Sequence, residues 1–413
     1  MTSRRSVAPH PEAAHDEPAR HDAGWVEVLR VFLRLGLTSF GGPIAHLGYF
    51  REEFVARRRW VDDGSFADLV ALSQFLPGPA SSQVGFALGL GRCGWAGGLA
   101  AWAGFTLPSA LLLLLFARGE HLLSAPWATH VLHGLKLVAV AIVAQAVWGM
   151  ARTLCPDRQR ATIALVGAAT VSAGFTSLHQ VLAILIGGIA GLFLCRHTSG
   201  RVTGTLSVRV TRAAGLACLV VFAALLLGLR IGAQLWPRSP LALLEGFYRS
   251  GALVFGGGHV VLPLLQGAVV VPGWVSDDSF LAGYGAAQAV PGPLFTVAAY
   301  LGAIAMPSRS FLGAALALVG IFLPGLLVLA GTLPFWDVFR RKVWAQAAMQ
   351  GINASVVGLL GTALYDPVFT TAVHARVDFA IALACFVLLV AWRAPPLLVV
   401  AIGAAADVVA ATI

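Results

Sequence analysis

Arg34 and Arg249 each stand seven residues ahead of a glycine pair, Gly41-Gly42 and Gly256-Gly257, inside stretches that are otherwise apolar. A guanidinium is permanently charged, and its planar donors match the oxygens of tetrahedral oxyanions. Gln74 and Gln288 stand three residues ahead of two further breaks, Pro77-Gly78-Pro79 and Pro291-Gly292-Pro293. Their amides can donate hydrogen bonds to the same class of ligand. Proline removes a helix donor and can open a new helix, while glycine tolerates backbone angles closed to other residues. Each break should therefore end one short helix and start another, whose first N–H groups are unpaired and whose dipole end is positive. Four such starts facing one another would make a site for an inorganic anion. Asp68, His46 and His259 add candidates for carrying a coupled proton beside it.

The elements that hold these residues are dictated by composition. Of 413 residues, 58% are hydrophobic and only 11% charged, with a mean hydropathy of +0.81. Soluble domains carry about a quarter charged residues, so lipid must be the solvent here. Uninterrupted apolar spans are predicted at about 95–118, 126–151, 160–175, 178–195, 211–233, 310–333, 341–364, 377–392 and 395–412, each near the ~20 residues that cross a bilayer. The remaining apolar arms, at 25–40, 43–56, 66–76, 79–91, 241–255, 259–270, 279–290 and 293–305, are too short to cross alone and flank the four breaks. They read as re-entrant hairpins or as spans broken near mid-bilayer. The fold class is thus all-α and polytopic.

The net charge of +9 does not indicate a nucleic-acid partner. The basic residues form short runs between apolar segments, as at Arg57–Arg59, with no stripe of interleaved aromatics. Five scattered cysteines lack any CxxC spacing, and residues 1–23 have no apolar core and are expected to be a disordered cytoplasmic tail.

The breaks recur in order. Phe40-Gly41-Gly42 returns as Phe255-Gly256-Gly257, Trp60-Val61 as Trp274-Val275, Pro77-Gly78-Pro79 as Pro291-Gly292-Pro293 and Leu107-Pro108 as Leu323-Pro324, at offsets of 214 to 216. The expected organisation is a first transporter-like repeat at 24–196, a linker at 197–239 with one transmembrane helix, and a second repeat at 240–413. If both broken units in each repeat return to their starting side, a cytoplasmic N-terminus places 19 Lys and Arg inside and five outside, setting aside four within apolar segments. Each repeat then crosses an even number of times, so one linking helix starts the second on the opposite face. Inverted repeats follow, the arrangement of many alternating-access carriers.

No HExxH, GxSxG, P-loop or metal-ligand cluster is present in the sequence, which argues against an enzyme and implies no cofactor or metal. The combination of Phe40-Gly41-Gly42-Pro43, the Trp60-Val61 loop, Gln74-x-Leu-Pro77-Gly78-Pro79, Phe255-Gly256-Gly257-Gly258 and Gln288-x-Val-Pro291-Gly292-Pro293 resembles the chromate ion transporter family, as a long-chain, two-domain member. The likeness covers roughly residues 25–412. It implies export of chromate from the bacterial cytoplasm across the inner membrane, giving chromate resistance, with sulfate as a close analogue. Only the motif positions carry over from the resemblance; Arg34, Arg249 and Asp68 rest on their chemistry. A sulfate or other anion transporter, or an anion channel of the same architecture, is the alternative. Partners are then the oxyanion and the lipid bilayer, with homo-oligomerisation left open. Gly258 stands where the first repeat has Pro43, a departure expected to loosen that break or to shape it for a different role.

Overall fold

The computed structural model of the protein describes residues 24–39, 42–120, 126–174, 177–195, 210–255, 260–336 and 342–410. Gly41, Gly256, Gly257, His259 and the expected tail at 1–23 lie outside the described residues. All regular structure among the described residues is helical.

The first half begins with α1 (Trp25–Thr38), which buries Val28, Val31, Phe32, Leu35 and Gly36 along one face. It continues through α2 (Gly42–Arg51), whose last turn widens over Glu52–Arg57, then α3 (Asp63–Phe75) and α4 (Ala80–Glu120). Non-helical angles at Cys93 and Gly94 split α4 into limbs 80–92 and 95–120. Both broken units fold back on themselves. Arg58, past the end of α2, reaches Glu27 at the start of α1 at 3.0 Å, and Phe54 stacks on Phe32 with centroids 4.9 Å apart. Arg92, at the end of the first α4 limb, lies over the Trp60 ring ahead of α3. Three helices follow, α5 (Pro126–Leu154), α6 (Arg158–Ser172) and α7 (Ser177–Leu194), and then the linking helix α8 (Arg212–Leu235).

The second half repeats the order with α9 (Pro240–Leu253), α10 (Val261–Leu265, widening to Val270), α11 (Asp277–Ala289), α12 (Val297–Ala305), α13 (Ser310–Thr332), α14 (Val343–Ala363), α15 (Arg376–Val390) and α16 (Pro396–Ala410). Its broken units are hairpins too. Ser250 Oγ donates to Leu264 O at 3.1 Å between the arms of one, and Tyr300 Oη donates to Ser279 O at 3.1 Å in the other. Five helices among the described residues are long and apolar enough to cross a bilayer, within 80–119, 133–154, 212–235, 307–335 and 343–372. Helices α6, α7, α15 and α16 are shorter, at 15 to 18 residues.

The halves interlock by exchange. Helix α5 packs on α15 and α16 of the second half, and its counterpart α14 packs on α6 and α7 of the first. Lipid supplies no hydrophobic force between helices, so close backbone approach through small residues must hold such seams. A Cβ on Gly191 would stand 2.8 Å from Gly351 Cα, and one on Gly134 would stand 2.7 Å from Ala404 Cα. Ser355 Oγ and Gln180 Nε2 add bonds across the halves, to Ala183 O at 2.6 Å and Pro263 O at 2.8 Å. The long limb of α4 and its counterpart α13 lie side by side. Arg118, late in the first, covers the ring of Phe311, early in the second, while Trp102 meets Phe322 further along. The two helices therefore run antiparallel.

Candidate functional site

The site is built where the breaks of the two halves cross. Gly78 has φ +121° and Gly292 φ +97°, angles that an L side chain rarely adopts. These angles turn each glycine N–H toward the other half. Gly78 N donates to Val254 O at 2.7 Å, and Gly292 N donates to Ser39 O at 2.8 Å. Ser39 and Val254 are counterparts, each closing the helix ahead of its own glycine pair. The packing is reciprocal as well. Gly78 sits against Gly325, and Gly292 sits against Ser109 and the Phe105 carbonyl; Ser109 and Gly325 each follow a Leu-Pro pair in a long helix. A Cβ at Gly78 would meet backbone, and one at Gly292 would require Ser109 to move.

Polar side chains gather on the first half's side of this crossing. Ser39, His46, Ser73, Ser81, Ser82, Gln83, Thr106 and Ser109 are all at most 3% exposed. His46 Nδ1 stands 3.4 Å from Ser81 Oγ, and the imidazole meets Phe105 edge-on. Gln83 Nε2 donates to Pro77 O at 2.8 Å and to Gly325 O at 2.9 Å, tying the Pro-Gly-Pro turn to α13. Six atoms of these side chains find no hydrogen-bond partner among the described residues: the possible donors Ser39 Oγ, His46 Nε2, Ser73 Oγ, Ser82 Oγ and Thr106 Oγ1, and the acceptor Gln83 Oε1. A buried polar group left unpaired costs about 1–3 kcal/mol. A set of them beside helix starts is an arrangement for a polar ligand. The second half does not repeat it. Val254, Ala287 and Phe322 stand at the positions of Ser39, Ser73 and Thr106, and Thr296, matching Ser82, is already bonded to Pro293 O at 2.7 Å.

The residues singled out from the sequence fall in different places. Gly42, Pro77, Gly78, Pro79, Pro291, Gly292 and Pro293 lie at the crossing. Arg34 is exposed on the face of α1 that also carries Leu33 and Leu37, away from the buried face and its breaks. Arg249 is largely buried, but its Nε donates to Glu245 Oε1 at 2.8 Å, and Arg230 approaches the same oxygen at 3.6 Å. The paired arginines thus occupy unlike surroundings. Gln74 is exposed, whereas Gln288 is half-buried with Nε2 unpartnered among the described residues. Asp68 is 2% exposed within α3. The sequence reading passed over the hydroxyls. Ser81-Ser82, one residue past Pro77-Gly78-Pro79 and in the first turn of a helix, was the available signal. No metal-ligand cluster was read from the sequence; in the fold, one ligand atom each from His133, Asp378 and Asp407 comes within 4.8 Å of the others.

An all-α polytopic membrane protein, with broken helices of two homologous halves crossing around buried donors, is the class that this fold and site define. The chain belongs to the chromate transporter family, whose model matches it twice, over residues 26–192 and 241–408. It is similar to the chromate transport protein of Pseudomonas aeruginosa, 30% identical over 373 residues that cover 88% of this chain and 86% of that one. It is also similar to the chromate transport protein of Cupriavidus metallidurans, at 26% over 378 residues covering 87% and 86%. The probable chromate transport protein of Synechococcus elongatus is 27% identical over 345 residues, covering 82% and 83%. No solved structure matches the chain.

Proposed function

We propose that this protein exports chromate from the bacterial cytoplasm by alternating access, binding the dianion at the crossed breaks. The relatives named as chromate transport proteins cover most of both chains, which supports the substrate class. The observation that carries the site is the set of five buried possible donors, without a hydrogen-bond partner among the described residues, near Gly78 and Gly292. Hydroxyls donate to oxyanion oxygens, and His46 Nε2 is a donor when Nδ1 accepts from Ser81. Positive helix ends offset the ligand's charge. Sulfate has the same shape and charge and is the alternative ligand.

The antiparallel course of α4 and α13 supports inverted repeats, bounded near 24–196 and 240–413 about the linker at 197–239. Charge asymmetry supports an inner-membrane protein with a cytoplasmic N-terminus. Asp68 is the proposed proton carrier, and Asp68→Asn should make transport independent of a pH gradient. A hydrogen bond to a charged ligand contributes about 1.5–3 kcal/mol, or roughly tenfold and more in affinity. Ser82→Ala and Thr106→Val should therefore each raise the half-saturating chromate concentration about tenfold or more in vesicles. Unchanged saturation in both variants would move the site elsewhere.

A further inference from the structure

Away from the crossing, three side chains from three helices point at one spot. His133 Nε2 lies 3.4 Å from Asp378 Oδ1 and 3.8 Å from Asp407 Oδ1, and one ligand atom from each residue fits within 4.8 Å of the others. Ligands about 2.1 Å from a tetrahedral ion stand about 3.4 Å apart, so the spacing suits a small metal ion. We propose that His133, Asp378 and Asp407 bind one divalent first-row transition-metal ion, bridging α5 of the first half to α15 and α16 of the second.

Three observations carry this beyond a chance cluster. Asp407, in the last turn of the apolar helix α16, is 5% exposed, and its Oδ2 has no hydrogen-bond partner among the described residues. His130 Nδ1 comes within 3.5 Å of that oxygen without the alignment of a bond, leaving room for a fourth ligand. A buried carboxylate met only by imidazoles at 3.5 and 3.8 Å is poorly compensated, and a cation between the two acids satisfies it. Second, the ligands are oriented from behind. Asp378 Oδ2 accepts from the backbone N–H groups of His374 and Ala375, at 2.9 and 2.8 Å, which presents Oδ1 to His133. The His374 ring stacks on His133 with centroids 6.1 Å apart. Third, helix packing does not require these residues. The exchanged seam on the other side matches Gly134 and Gly403 here with Gly351 and Gly187 there. Gln350, just before Gly351, then stands for His133, and Gly191, four after Gly187, stands for Asp407. The same seam closes there without a His-Asp pair.

Imidazole and carboxylate together suit Zn2+, Co2+, Ni2+ or Mn2+, and two carboxylates with a neutral imidazole balance a charge of +2. His130, with 44% of its side chain exposed, provides an entry path. The test uses the full-length chain, purified without a histidine tag, stripped with a chelator and titrated with Zn2+ alone. Saturable binding of one ion per chain is expected, with a raised unfolding temperature. His133→Gln and Asp407→Asn should each weaken binding at least tenfold. Asp378 is not the first choice, because it also caps α15. Absence of saturable binding, or equal affinity in both variants, would overturn the site. If neither variant elutes as wild type does, X-ray absorption of the Zn2+-loaded wild type decides. A mixed nitrogen and oxygen shell at about 2.0–2.2 Å supports the assignment; a sulfur neighbour or a fully hydrated ion overturns it.

Discussion

A methyl group placed on Gly78 probes the crossing of the two halves at its tightest point. The residue has φ +121°, and an added Cβ would stand 2.8 Å from Gly325 Cα in α13. Holding an L residue in such a backbone region costs about 1–3 kcal/mol. The clash is with a backbone atom, which no rotamer change relieves, and overpacking of that kind costs a further ~1–3 kcal/mol. Gly78→Ala should therefore destabilise the protein by about 2–6 kcal/mol, or pry α13 from the Pro-Gly-Pro turn. Gly292→Ala should cost less. Its φ of +97° carries similar strain, but the nearest atom to its Cβ is Ser109 Oγ at 2.8 Å, a side chain that can turn away. Gly48→Ala is the control, since Gly48 is helical with nothing within 4 Å of its Cβ. An alanine there should stabilise by about 0.5–1 kcal/mol. Thermal unfolding of the three variants in detergent, beside chromate flux in vesicles, gives the comparison. The order Gly48, Gly292, Gly78 from mildest to most severe is expected. A Gly78→Ala protein as stable and active as wild type would refute the close crossing.

Glu245→Ala leaves the mostly buried Arg249 without its partner at 2.8 Å, and should destabilise by about 3 kcal/mol in thermal unfolding; a loss under about 0.5 kcal/mol would mean the pair is bathed in water. Asp62 caps α3, accepting from Ser65 N–H at 2.9 Å and Ser65 Oγ at 2.7 Å, and Asp62→Ala should cost about 1 kcal/mol at neutral pH. The backbone bond from Ser65, with the hydroxyl, holds this carboxyl below the usual range. A lowered folded value means the stabilisation is present above the ordinary carboxylate pKa and is lost as pH falls through the folded value. The gap between wild type and Asp62→Ala should therefore close on acidification below about pH 4, and a constant gap would remove the carboxylate from the cap.

Much of this architecture is written in residues whose backbone meaning is unambiguous. Gly42, Gly78 and Gly292 take positive φ, and the Gly and Pro breaks recur at fixed offsets, so the broken units and their counterparts are readable one residue at a time. Long spans are equally readable from composition, as Ser310–Thr332 against an expected 310–333. Which helix packs on which is another matter. Helix α5 joins α15 and α16 through contacts more than 200 residues apart in the chain, and no local pattern encodes that exchange. The same distance hides the meeting of His133, Asp378 and Asp407. The arginines were legible in part. Arg30 and Arg34 share a face opposite the buried Val28 and Phe32, and Glu245 precedes Arg249 by one helical turn, signals that point to an outward face and an ion pair. Burial alone could reveal that Ser39, Ser73, Ser82 and Thr106 lack partners among the described residues, because serine and threonine are ordinary in apolar helices.

The central claim is that the crossed breaks carry chromate by alternating access, and radiolabelled chromate flux through purified protein in liposomes tests it most directly. Uptake should saturate, should accelerate when unlabelled chromate is loaded on the opposite side, and should be competed by sulfate. Flux no greater than in empty liposomes, or flux that neither saturates nor responds to chromate on the opposite side, would contradict it.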